Sequence, residues 1–255
     1  MLHTGSSTRY LGGVVSVVLR LAGTAAALLL AAALPAQANV IVTVNCTAGG
    51  LSGSRDFQIE CNGGAVNWEL PNNNNADIGI MAGDVRLATL QGLSIQSDYE
   101  PYINLRFSVE ASGTDTTFDI NSAVVSFDPL LNPQAYASAG VTLTSDSDGA
   151  TITGLFPGGK NYQARYNGTS VYANLVDGFA ISGNKTLTNS DRQPASGYGP
   201  ISGTLSSIQS EFNFTLSALD QASGTSRFEV VPEPATLTLV AFGLMAGLAR
   251  RFRRC

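Results

Sequence analysis

Histidine is almost missing from the 255-residue sequence: the one copy, His3, lies in the N-terminal stretch. Without a histidine the rest of the chain cannot build a Ser-His-Asp or Cys-His arrangement, a histidine general base or a His-ligated zinc site. Charge is scarce too, at 13% of residues, and the balance of 14 Lys+Arg against 19 Asp+Glu gives −5 and a pI near 4.8. That is the wrong sign for a protein that grips phosphate backbones, so nucleic acid is not an expected partner. Cysteine is limited to three residues and tryptophan to one, Trp68. Helical periodicity is lacking as well: between residues 39 and 230 no stretch carries an apolar helical stripe of ten residues or more.

What the chain does have is two apolar ends. Arg9 and Arg20 precede an apolar run from Leu21 to Leu34, which gives way to Pro35-Ala36-Gln37-Ala38. A basic region, an apolar core and an A-x-A site are the three parts of a secretory signal peptide, read by translocon and signal peptidase, with cleavage expected after Ala38. A membrane anchor would need about 20 apolar residues uninterrupted by a charge such as Arg20. At the other end Val231-Pro232-Glu233-Pro234 precedes fifteen uncharged residues, Ala235 to Ala249, and then Arg250, Arg251, Phe252, Arg253, Arg254 and Cys255. Fifteen helical residues span about 22 Å, short of the roughly 30 Å hydrocarbon core, so they would make a short, transient transmembrane helix in the inner membrane. The arginines would stay on the cytoplasmic side. Pro234 keeps Glu233 out of helical geometry and leaves P-E-P extended and accessible at the membrane surface.

This order closely resembles the PEP-CTERM sorting signal of bacterial exported proteins. The resemblance is confined to the tail and implies recognition by an exosortase, with Pro232, Glu233 and Pro234 as the sorting motif and Arg250, Arg251, Arg253 and Arg254 as the basic stop. It also implies loss of the tail and delivery to the envelope or extracellular matrix. Cys255, after the arginines, is a departure from the pattern; on the cytoplasmic side it would stay reduced.

Three parts follow: a signal peptide over 1–38, a body over 39–230 and a sorting signal over 231–255. Between residues 39 and 232 there are eight basic residues against 18 acidic ones, a formal charge of −10. The body alternates apolar and polar residues with period two, as in Ile103, Leu105, Phe107 and Val109, or Phe212, Phe214 and Leu216. About a dozen such segments, separated by Gly-Gly, Asn-Gly, Ser-Gly and Asp-Gly pairs, predict an all-β fold, an antiparallel β-sandwich of jelly-roll-like type. Asn189 to Gly203 reads as a long surface loop. Asp148-Gly149, between Val141–Thr144 and Thr151–Thr153, reads as a hairpin turn. As a calcium loop the same stretch fails at two ligand positions, Thr144 and Leu155.

Four features are candidates for sites. Cys46 and Cys61 in an exported segment are expected to pair, closing a loop that contributes about 3 kcal/mol in the chain-entropy model. Tyr162, Arg165, Tyr166 and Tyr172, with Phe179, could stack on and hydrogen-bond a glycan, or the aromatics could fill the core of two strands. Carboxylate pairs such as Glu69 with Asp77, or Asp115 with Asp119, are the catalytic device open to a histidine-free glycoside hydrolase. The many Ser and Thr residues would fit sugar attachment. No metal or cofactor is expected. The leading reading is a non-enzymatic structural or adhesive protein of the cell surface, biofilm or exopolysaccharide matrix; a carbohydrate-binding module comes second and the hydrolase third.

Overall fold

The computed structural model describes residues 39–60, 65–71, 77–98 and 101–232. Every regular element among them is a strand, and every pairing is antiparallel. In chain order they are β1 (Asn39–Ala48), β2 (Leu51–Glu60), β3 (Val66–Glu69), β4 (Ile78–Ala82), β5 (Val85–Asp98), β6 (Tyr102–Ala111), β7 (Thr116–Asn121), β8 (Val125–Leu131) and β9 (Gln134–Thr144). They continue with β10 (Ala150–Gly154), β11 (Lys160–Tyr166), β12 (Ser170–Asp177), β13 (Phe179–Ile181), β14 (Thr186–Gln193), β15 (Gly199–Pro200), β16 (Thr204–Leu216) and β17 (Gln221–Val231). The first sheet runs β12-β11-β16-β7-β1-β2, with β8, β10 and β13 attached; the second runs β14-β9-β17-β6-β5-β3, with β4 and β15 attached.

The sandwich follows from the period-two pattern. In β9 and β17 alternate residues are buried along the whole strand, and the same alternation runs through β6 and β7. Their inner faces merge into one core. At its centre Phe107 reaches from the second sheet into aromatics of the first. Its ring centroid lies 4.8 Å from Phe212, edge-on, and 5.7 Å from Phe214, stacked. Phe214 packs on Phe118 at 5.5 Å and Phe212 on Tyr162 at 4.9 Å. Phe107 fits because β17 has a glycine opposite it: a Cβ on Gly224 would stand 2.3 Å from the Phe107 ring.

The sheet margins approach each other. A Cβ on Gly53 in β2 would meet the Met81 carbonyl of β4 at 2.5 Å. On the opposite side Asn189 of β14 donates to the Asp177 carbonyl of β12 at 3.4 Å.

Two expectations need correction. Asp148-Gly149 is not a hairpin turn: β9 pairs in the second sheet and β10 in the first, so the chain changes sheets there. Gly149 sits at φ 107°, and a Cβ would meet the Ile181 carbonyl at 2.7 Å, so the position requires glycine. Asn189 to Gly203 is not all loop, since β14 pairs with β9 from Thr186↔Thr144 to Gln193↔Ala137 and Gly199-Pro200 pairs with β9 as well. Cys46 is buried on β1 opposite Gly53 of β2, and the expected Cys46–Cys61 pairing turns on Cys61, which lies outside the described residues.

Candidate functional site

The proposed tyrosine and arginine cluster divides between the two faces of the first sheet. Tyr162 and Ala164 are fully buried, and the Tyr162 hydroxyl pairs with Ser210 Oγ at 2.9 Å. Tyr162 is therefore a core residue and not a glycan contact. Tyr166 and Phe179 are half-buried against the same core. Tyr172 stacks on Phe228 at 5.4 Å and donates to the Ala135 carbonyl at 2.6 Å, so its polar end is already engaged. Arg165 has the opposite parity and emerges on the outer face, where it pairs with Glu211 at 3.0 Å.

The outer face of the first sheet is a polar ladder. Asp119 accepts from Asn45 at 3.4 Å and from Asn121 at 2.7 Å, Thr117 pairs with Thr215, and Gln163 donates to Asn174. Burial, then the Asp119 charge, pushes the Glu211 carboxyl up, while Arg165 pulls it back. Of the carboxylate pairs considered above, Glu69 and Asp77 are both exposed, and Asp115 is taken up by the Ala218 amide at 3.2 Å.

A more open site lies on the outer face of the second sheet, where β14, β9, β17 and β6 bring three rows of side chains into register. One row is Arg192, Ser138, Arg227, Asn104; the next is Ser190, Gly140, Thr225, Arg106. The third places Tyr136, Glu229 and Tyr102 side by side. Small residues in the first two rows leave a groove of about 790 Å³ between the arginines, its lining including Thr188, Ser190, Thr225 and Asp191.

The tyrosine row fixes two of the three arginines. The Arg192 guanidinium lies 4.5 Å from the centre of the Tyr136 ring, and the Arg227 guanidinium 4.8 Å from that of Tyr102. Arg227 also pairs with Glu229 at 2.5 Å, and Tyr198, edge-on to Tyr136 at 5.1 Å, donates to the same carboxylate at 2.7 Å. Burial alone would raise the Glu229 carboxyl, but the hydrogen bonds from Tyr198 and Arg227 and the Arg227 charge outweigh it and hold the carboxyl low. The hydrogen bond to Glu229, reinforced by burial, pushes the Tyr198 phenol up to about 12. Arg106 is exposed, and its guanidinium makes no ion pair or hydrogen bond among the described residues.

Raised phenols, Tyr162 foremost, give the fold an alkaline limit. Burial pushes Tyr162 up to about 12, against the pull of its Ser210 hydrogen bond. A raised phenol favours the folded state fully below its unfolded value near 10, and that contribution disappears as pH climbs to about 12. For Tyr162 the loss is about 3 kcal/mol. Denaturant titrations across this window are expected to show falling stability, with a shallower decline in Tyr162→Phe.

The remaining site residues of the sequence reading, namely Ala36, Ala38, Glu233, Pro234, Arg250, Arg251, Arg253 and Arg254, lie outside the described residues. Pro232 is exposed directly after β17, whose last residue, Val231, pairs with Gln134.

The last strand of the sandwich ends at Val231, next to Pro232. The PEP-CTERM protein-sorting motif matches residues 230–254. The chain thus carries the signal of an exported protein that is membrane-anchored at its C-terminus and handed to an exosortase. No curated protein matches the sequence. One solved structure, "Structure of infectious bursal disease virus Gt strain", aligns over 78% of this chain and 67% of its own at 15% identity, with a TM-score of 0.18, too slight to bear on function.

Proposed function

We propose that this exported protein is a non-catalytic component of the cell surface or extracellular matrix that binds polysaccharide through the groove of the second sheet. The observation that supports this most directly is the groove's composition: hydroxyls, an amide and guanidiniums surround a floor of small residues, with tyrosine rings at one end. Such groups hydrogen-bond sugar hydroxyls. A non-catalytic role accords with the occupied carboxylates, since Asp119 and Glu211 are held by amide and guanidinium partners.

Gly140 offers the test. A Cβ there would find its nearest neighbours, Ser190, Asn189 and Thr225, at 3.6–3.9 Å, so a large side chain would extend into the groove without disturbing the core. The protein recovered from its producing cells is expected to be retained by that host's own exopolysaccharide in affinity electrophoresis. Gly140→Phe should abolish retention with an unchanged melting temperature; equal retention would remove the groove from consideration.

A further inference from the structure

We infer that the groove selects carboxylated glycans, polyuronate chains above all, and that Arg106 meets the carboxylate. This deepens the polysaccharide reading and rests on it. The argument begins with where the few cations are. Between residues 39 and 232 acids outnumber bases 18 to eight, yet three of the eight, Arg106, Arg192 and Arg227, line this one groove, against one acid, Asp191. On a body with a formal charge near −10 the groove is a local cationic site, and a neutral glycan would have no need of it.

The three arginines differ in what they have left to offer. Arg227 is committed to Glu229 and to the Tyr102 ring. Arg192 lies against Tyr136 and donates to the Gly197 carbonyl at 2.9 Å. Arg106, exposed and with its guanidinium uncommitted among the described residues, can take a carboxylate bidentately. The register sets the spacing. Arg106 is diagonal to Arg227 across one strand pair, at roughly 7–8 Å, and Arg192 is two strands from Arg227, at roughly 10 Å. Three cations set apart in this way suit a polymer carrying one carboxylate per ring better than a single compact anion.

Selectivity for carboxylate can be separated from glycan binding itself with three probes: polygalacturonate, its carboxyl-reduced neutral form, and dextran sulfate. The expected result is binding of polygalacturonate that weakens with added salt and at least about ten-fold weaker binding of the reduced form and of dextran sulfate. Arg106→Ala should weaken polygalacturonate about ten-fold and Arg106→Lys only partly restore it, while Arg55→Ala, on the first sheet, changes nothing. Equal binding of the reduced polymer would overturn the carboxylate assignment while leaving the glycan reading intact. Dextran sulfate bound as tightly as polygalacturonate would reduce the site to a general polyanion surface and overturn the selectivity. An unaltered Arg106→Ala would overturn the residue assignment. Failure with all three probes, alongside Gly140→Phe-sensitive retention of host exopolysaccharide, would overturn the class and spare the earlier reading; loss of that retention as well would end both.

Discussion

Phe212→Ala should lower the unfolding free energy by about 4 kcal/mol, a shift of about 10 °C in melting temperature for a body of this size. Phe212 is fully buried on β16 and touches an aromatic on each side, Phe107 from the opposite sheet and Tyr162 from the neighbouring strand. Truncation removes the transfer term and leaves a cavity that its neighbours cannot close, since Phe107 is confined between the first sheet and the backbone at Gly224. Differential scanning calorimetry of the wild type and the variant decides it. A loss below about 1 kcal/mol would mean that the aromatic cluster is loosely packed.

Replacing Pro232, Glu233 and Pro234 with alanines should have the largest functional consequence: the chain stays in the membrane fraction with its tail attached. The sorting motif gives the reason. The two prolines interrupt helical geometry just before the apolar span, so their removal lets the helix extend through the recognition peptide and hides it. Intact mass and terminal sequencing of fractionated cells check the outcome. The wild type should begin near Asn39 and end near Pro234; the variant should still end at Cys255. Release of the variant with its tail removed would show that the motif is not what the protease reads.

The sequence made the tail legible because its features are local and ordered along the chain. The strands were legible wherever one face is buried, as in β6, where Ile103, Leu105, Phe107 and Val109 declare the core side. β14 escaped because almost every residue from Thr186 to Gln193 is exposed, so no apolar alternation exists to mark it. The false hairpin at Asp148-Gly149 had a correct local signal that was overridden by partners far away in the chain, β17 for β9 and β16 for β10. For Tyr162 and Arg165 the parity was there to be read: three positions apart on a strand, they face opposite sides and cannot share a ligand. The groove was not legible, because Arg106, Arg192 and Arg227 come from three strands distant in sequence. Their only local mark is a cation on the solvent side of an otherwise regular alternation, as at Arg106 within β6. What makes them neighbours is register, and register is a property of the assembled sheet.

The position of β17 has a mechanical consequence. This strand supplies Thr225 and Arg227 to the groove and continues at Val231 into the sorting signal, and it lies between β6 and β9 rather than at a margin. A pull that enters through a ligand in the groove and leaves through the C-terminus therefore runs along one interior strand. Its hydrogen bonds to both neighbours stand across the direction of load and must yield together in shear, whereas an outermost strand could be peeled away one bond at a time.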